Sequence, residues 1–302
     1  MKQLVAISIF SFLGLSCSDK KKKEVNYDYK EDNQTLLWEV SGNELKEPSY
    51  LYGTIHIISK DDFILTDITR KLLSTSDVLV TEVELGALMA ADMSKMTMAD
   101  GVTLDSLLTE EQYLKVVSLF EKHMGVQKPM FDMMFSKLSP MVIQQQLLVT
   151  AFGDETKSYE LEFSKIAKKK KLENVGLETL AFQMEVFGSI PMDDQVAMLV
   201  RTIDSMDVAL GEFDKLIELY KSQDIDGLAS FMNESEHSKE LMQNSKEEFL
   251  TDRNNRWIAT IDSLIQEKQC FIAVGAAHLP EEKGVIELLR KEGYTVKPID
   301  NK

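Results

Sequence analysis

The residues best suited to do chemistry in this chain form two matching tetrapeptides, Gly53-Thr54-Ile55-His56 and Gly275-Ala276-Ala277-His278. Each follows a short apolar run, Ser49-Tyr50-Leu51-Tyr52 in one case and Cys270-Phe271-Ile272-Ala273-Val274 in the other. The chain has 4 histidines, and two of them occupy these equivalent settings near opposite ends. A glycine at a strand end lets the backbone turn sharply or approach a ligand, and neutral imidazole is the commonest protein ligand for a transition metal. A third apolar run, Val78-Leu79-Val80-Thr81-Glu82-Val83-Glu84, ends on two glutamates that alternation places on one face of a strand. Glu82 could ligate a metal or take a proton from bound water, and Glu84 could do the same or orient a histidine. His56, His278, Glu82 and Glu84 would together offer a mixed nitrogen and oxygen set. Such a set suits manganese, cobalt, iron or zinc without choosing among them.

Weaker candidates lie elsewhere. Glu178, in Gly176-Leu177-Glu178-Thr179, follows another short apolar run that aims it at the same edge. Arg253 and Asn254 sit on a helix before the C-terminal strand, where a guanidinium could hold a substrate carboxylate or stabilise an oxyanion. His123 and His237 stand among charged residues and read as parts of solvated helix faces. Methionines 89, 93, 96, 98, 130, 133 and 134 are dense enough for an adaptable apolar groove, though core filling is the simpler account. The chain shows no Ser/His/Asp signature, phosphate loop or cysteine-based zinc spacing.

The elements that must position these groups follow from the hydrophobic pattern. Leu36–Val40 and Ser49–Tyr52 read as strands joined by a turn at Ser41-Gly42-Asn43. Asp61-Asp62 can cap a helix through Ile64, Ile68, Leu72 and Leu73, followed by the strand at 78–83. The C-terminal end repeats the plan: strand, Gly-x-x-His, a helix through Val285, Leu288 and Leu289 stopped by Gly293, and a strand at 294–299. An α/β fold is expected, with a central sheet built from two strand–Gly-x-x-His–helix–strand units. A large helical insertion fills the middle, about 86–265. There Thr109-Glu110-Glu111-Gln112 has the form of a capping box, Pro129 and Pro140 bracket a methionine-rich helix, and Ser158–Lys171 reads as a helix ending in four lysines. A short strand through 172–176 and long helices over 193–206, 212–221 and 239–268 complete it.

The N-terminus reads differently. Lys2, an apolar stretch Leu4–Leu15 too short to span a bilayer, and small residues before Cys17 form a signal peptide over 1–16. Leu13-Gly14-Leu15-Ser16-Cys17 resembles a bacterial lipobox, which makes Cys17 a lipidation site and the protein an envelope lipoprotein; an ordinary secretory signal is the alternative. Residues 17–35, with Lys20-Lys21-Lys22-Lys23, are too polar to build a core and are expected to be a flexible tether. The net charge is -16 although this segment is basic, so a polyanion would be repelled and nucleic acid is not expected as a partner. Of the 2 cysteines, Cys270 would be left alone in an apolar strand as a buried thiol. The domain therefore spans 36–302 and needs an ordinary hydrophobic core.

These motifs, taken in order, resemble a known family. Leu51–His56, Ser76–Glu84, Gly176-Leu177-Glu178-Thr179 with Gln183, Asp252-Arg253-Asn254 and Val274–Leu279 are similar to the ordered motifs of the TraB/GumN family. That family includes the TIKI proteases that cleave Wnt proteins. The resemblance covers the whole of 36–302. It implies a metal-dependent hydrolase, a peptidase in the animal branch, on a fold related to erythromycin esterase and the ChaN haem-binding lipoproteins. It also implies that His56, His278 and Glu82 build the active site, with Arg253 and Asn254 as the family's Arg-Asn pair. Glu84 stands where the family often carries aspartate. The expected function is thus an envelope-anchored, metal-dependent hydrolase acting on a peptide or small-molecule substrate and attached to the membrane through the N-terminal lipid. A non-catalytic lipoprotein holding haem, metal or peptide in the same cleft is the alternative.

Overall fold

The structure, a computed structural model, describes residues 25–84, 86, 97–149, 155–235 and 246–302. Cys17, His237 and the methionines at 89, 93 and 96 lie outside them. A six-stranded sheet organises the molecule, in the order β6-β4-β7-β2-β1-β8. Its strands are β1 (Leu37–Ser41), β2 (Ser49–Thr54), β4 (Val78–Val83), β6 (Glu173–Glu178), β7 (Cys270–Gly275) and β8 (Thr295–Pro298). Two short strands, β3 (Ile58–Ser59) and β5 (Thr156–Lys157), pair separately. β6, β4, β7 and β2 run parallel, while β1 is antiparallel to both of its neighbours. The inner parallel strands β4, β7 and β2 are buried on both faces, which is why 78–80 and 270–274 read as continuous apolar runs rather than alternating ones.

The two strand–helix–strand units share the centre of this sheet. β2 leads through α1 (Asp67–Thr75) to β4, which lies beyond β7. β7 leads in the opposite direction through α12 (Val285–Lys291) to β8, beyond β2 and β1. Adjacent strands whose connections leave in opposite directions form a topological switch point, the place where open α/β sheets bind ligands. Both Gly-x-x-His motifs emerge there. Right-handed crossovers put the two helices on opposite faces. α1 packs with α6 (Tyr159–Lys170), whose Phe163 lies 5.3 Å from Tyr52 and 5.4 Å from Phe271, ring to ring. α12 packs with α11 (Asp252–Glu267), which reaches Glu82 on the other side.

The remaining helices are α2 (Leu104–Leu107), α3 (Glu110–Met124), α4 (Lys128–Met134), α5 (Pro140–Val149), α7 (Leu180–Gly188), α8 (Met192–Asp204), α9 (Met206–Lys221) and α10 (Ile225–Glu234). The capping box at Thr109 and Gln112 is present, and Tyr113, Val116, Val117 and Phe120 form the buried face of α3. They join Leu104, Phe131, Ile143, Leu147, Leu199 and Ile203 in a second apolar core, separate from the one around the sheet. Met130, Met133 and Met134 are exposed instead of filling it, and His123 is exposed as a solvated face requires. Among the described residues no helix is long and apolar enough to cross a membrane.

Three expectations need correction. The helix after His56 starts at Asp67, capped by Thr66, because Ser59 and Asp62 hydrogen-bond each other in a turn and Ile64 stays exposed. The stretch 86–265 is not purely an insertion, since β6 inside it is an edge strand of the main sheet. The segment from Val25 to Gln34 is no free tether. Tyr27 and Tyr29 both donate to the buried carboxylate of Glu39, and Tyr29 bridges Ile299. Two phenols supply the apolar surface and the hydrogen bonds that polarity along this segment had seemed to rule out.

Candidate functional site

The carboxyl ends of β4, β6 and β7 converge on one guanidinium. Arg253 projects from the first turn of α11 and is 5% exposed. Its Nη2 donates to Glu82 Oε2 and to Glu178 Oε1, both at 2.6 Å. Its Nε lies 3.2 Å from both oxygens of Glu178, and its Nη1 donates to the Phe249 carbonyl at 3.1 Å. Trp257, one helical turn on, carries the guanidinium 4.8 Å over its ring and donates Nε1 to Glu178 Oε2 at 3.1 Å. Two buried carboxylates on neighbouring strands would repel each other strongly, and the guanidinium between them offsets that repulsion.

Each residue of Gly176-Leu177-Glu178-Thr179 has a separate task. A Cβ at Gly176 would lie 2.7 Å from the Glu84 backbone nitrogen, so only glycine lets β6 close on the end of β4. Leu177 enters the core, Glu178 takes Arg253, and Thr179 caps α7 by accepting from the Phe182 N–H. Capping fixes the helix that carries Gln183, whose Nε2 donates to Glu82 at 3.2 Å and Glu178 at 3.1 Å.

The second Gly-x-x-His motif closes this cluster. The Gly275 N–H donates to Glu82 Oε1 at 2.7 Å, and a 3-10 turn over Ala276–His278 brings the imidazole back under the sheet end. His278 is 4% exposed and packs 4.4 Å from the Trp257 ring. Its Nδ1 lies 2.6 Å from Asn254 Oδ1, while its Nε2 lies 3.2 Å from Arg253 Nη1 and 3.9 Å from Glu82 Oε1. A guanidinium nitrogen only donates, so Nε2 must be the acceptor and Nδ1 carries the proton to Asn254. His278 is therefore a neutral imidazole in a defined tautomer. Burial, opposed by Glu82 and reinforced by Arg253, pushes its pKa down to about 3. Burial alone would raise Glu82, but His278, His56 and Arg253 together with the Gly275 N–H bring it down to about 2. Because His278 is neutral near pH 7, Arg253 and His56 carry most of that field there.

The first motif behaves differently. Gly53, one residue before the end of β2, lies against the other loop: a Cβ there would meet Leu279 Cδ1 at 2.8 Å and Ala276 Cα at 3.1 Å. The two Gly-x-x-His loops thus touch through a missing side chain. His56 follows, with 64% of its side chain exposed, and its Nδ1 lies 3.0 Å from Glu160 Oε1. Burial by the surrounding protein works against protonation, yet the Glu160 carboxylate outweighs it and raises the pKa to about 9. Water reaches most of this ring and screens the pair.

The cluster brings together Glu82, Glu178, Arg253, Asn254 and His278, with His56 close enough to share their field. Glu84 is not among them. β4 ends at Val83, the alternation ends with it, and Glu84 is exposed. Arg253 and Asn254 are not turned toward a substrate either: Asn254 also donates to the carbonyls of His278 and Lys283, so both side chains are consumed inside the fold. Glu160 and Trp257 are members that sequence reasoning missed. Trp257 had a signal, lying four residues after Arg253 on one helix face; Glu160 had none that set it apart from Glu162. The chemistry of His56, His278 and Glu82 fits a divalent ion. As they lie, however, no three His, Cys, Asp or Glu side chains among the described residues form a ready metal cage. The Arg253 guanidinium occupies the space between Glu82, Glu178 and His278.

No curated protein and no solved structure matches this chain. Two Gly-x-x-His loops at the switch point, a glutamate at the end of β4 and the Arg-Asn pair of α11 fall within residues 36–298, which match the TraB/PrgY/gumN family model, and the chain belongs to that family.

Proposed function

We propose that this protein is a hydrolase, with its site at the ends of β2, β4, β6 and β7, that acts on peptides or small molecules with a divalent metal ion. One observation carries the reading. Both histidines have Nδ1 tied to an oxygen, Glu160 in one case and Asn254 in the other, which leaves Nε2 as the working nitrogen near an ionised Glu82. Metal-ligating histidines are held in this manner, since the outer hydrogen bond fixes tautomer and ring orientation. His56, His278 and Glu82 would hold the ion; manganese, cobalt, iron and zinc all suit the donors. When bound, the ion would polarise a carbonyl and lower the pKa of a water.

The protein's own groups do the rest. Glu82, held strongly acidic, serves as a fixed negative charge and not as a proton acceptor. Arg253 keeps that charge in place and in register with Glu178. His56, the exposed member, faces incoming substrate. The Nε2 lone pair of His278 serves one partner at a time, so an ion there competes with Arg253. The kinship to erythromycin esterase and ChaN folds belongs to this proposal too, supported by the paired units at the switch point. So does envelope anchoring through lipid on Cys17, supported by the apolar stretch and small residues before it.

One observation favours the non-catalytic alternative: the polar atoms of Glu82, Glu178 and Arg253 are already satisfied within the fold. The two readings separate in one experiment. Protein purified without chelator is assayed for metal content and for cleavage of a diverse peptide library under several divalent metals. Cleavage that EDTA abolishes and Glu82→Gln removes establishes the hydrolase. Full metal content in a His56→Ala/His278→Ala double variant refutes the assigned ligands, and metal or peptide binding without any cleavage establishes the binding protein.

A further inference from the structure

We infer that Glu160 is the positioning residue of His56, a carboxylate built into the start of α6 to fix the orientation of that imidazole beyond the end of β2. The inference rests on His56 being a working residue of the proposed site. Three side chains, from the end of β2 and the start of α6, meet at this carboxylate. Thr54, the last residue of β2, donates to Oε1 at 2.8 Å, and His56 Nδ1 lies 3.0 Å from the same oxygen. Ser158, the N-cap of α6, donates to Oε2 at 2.8 Å while its own oxygen accepts from the Leu161 N–H. Both oxygens are therefore held, one from the sheet and one from the helix. The carboxylate lies in the first turn of a 12-residue helix, where the helix dipole favours negative charge.

A capping role alone does not explain the arrangement. Ser158 already caps α6, and Glu162 supplies a second acidic residue to the same turn without contacting His56. The contrast with the other histidine points the same way. His278 is wedged against Trp257 and enclosed, so packing fixes its ring and a neutral amide suffices to set its tautomer. His56 has little packing to hold it, at 64% exposure, and a hydrogen bond must do what packing does elsewhere. With Nδ1 committed to Glu160, Nε2 is the nitrogen left for substrate or metal. A carboxylate partner also makes an imidazole a stronger donor than an amide partner does. The two histidines thus differ by design of their partners: one is rigid and weakly basic, the other exposed and strengthened.

The test reads the ring itself. In metal-free protein at a pH where His56 is neutral, nitrogen-15 correlation spectra should show its proton on Nδ1. Glu160→Ala should move that proton to Nε2 and weaken zinc binding, measured by calorimetry with zinc alone, by about 10- to 100-fold. Glu160→Gln keeps an acceptor without the charge, so it should retain the Nδ1 proton and lose less affinity; it also serves if the alanine variant folds poorly. A wild-type ring already protonated on Nε2, or an unchanged tautomer in folded Glu160→Ala, overturns the inference. If wild type binds no zinc and cleaves nothing while the ring still responds to Glu160→Ala, the hydrolase reading falls and the positioning role stands.

Discussion

Arg253 decides the site at the scale of single residues. Its charge is shared by two buried carboxylates and its Nη1 faces the lone pair of a buried histidine. Removing one partner of such a cluster leaves uncompensated charge in a poorly solvated place, typically at a cost of about 3–5 kcal/mol. Arg253→Gln should lower the urea unfolding free energy by that amount. Lys283→Ala, which breaks an exposed pair with Glu247, should change it by no more than about 0.5 kcal/mol. Equal losses in the two variants would mean that the buried cluster is not what holds these strand ends together. The same cluster explains why Arg253 and Asn254, read from sequence as groups for a substrate, are turned inward. Burial of two acids demanded the guanidinium, and a histidine without solvent demanded the amide.

Elements meet at this site through glycines and caps. β2 touches the 3-10 turn after β7 only because Gly53 lacks a side chain, and β6 touches the end of β4 only because Gly176 does. Gly176→Ala pushes a methyl against backbone atoms that cannot rotate away. It should cost about 1–3 kcal/mol as an overpacking change and displace Glu178 from Arg253. Gly53→Ala meets mainly the flexible end of Leu279 and should cost less, so chemical denaturation should rank Gly176→Ala below Gly53→Ala in stability. The reverse order would place the tight contact at β2. Thr179→Ala should remove about 1 kcal/mol from α7 through its lost cap. It should also raise hydrogen exchange around Gln183, and unchanged exchange there would separate the cap from the site.

At the scale of the whole molecule, stability should follow the titration of these buried groups. His278 is held down to about 3 and Glu82 to about 2, whereas both groups titrate higher when the chain is unfolded. The unfolded state therefore takes up protons first as pH falls, and the stability these groups contribute, complete above about 6.5, drains away toward about 2. His56 has the opposite sign. Raised to about 9, it contributes most below its unfolded value and less as pH climbs, and exposure keeps that contribution small. Thermal unfolding of metal-free protein should thus peak near about pH 6–7 with a steep acid flank and a shallow alkaline one. A maximum below about pH 5 would contradict the buried neutral histidine. The sheet edge offers a second measurement. Tyr27→Phe keeps the ring that packs 6.0 Å from Tyr50 but removes a hydrogen bond to buried Glu39. A loss of about 1.5–3 kcal/mol is expected, and none would mean that the docked N-terminal segment is only resting on the sheet.

The amino-acid sequence by itself determined the six strands of the main sheet (though not the short β3–β5 pair), the two Gly-x-x-His loops and the presence of Glu82, Glu178, Arg253, Asn254 and both histidines in one family pattern. It could do so because apolar runs, strand-end glycines and capping residues act locally, over a few positions. Tertiary structure alone decided which of these side chains face each other. That β7 inserts between β2 and β4, that Arg253 turns toward two acids, and that Glu160 rather than Glu84 serves a histidine all depend on contacts between residues far apart in the chain. Glu160 and His56 are separated by 104 positions. No periodicity spans such a gap; only the closing of α6 onto the end of β2 brings the carboxylate to the ring.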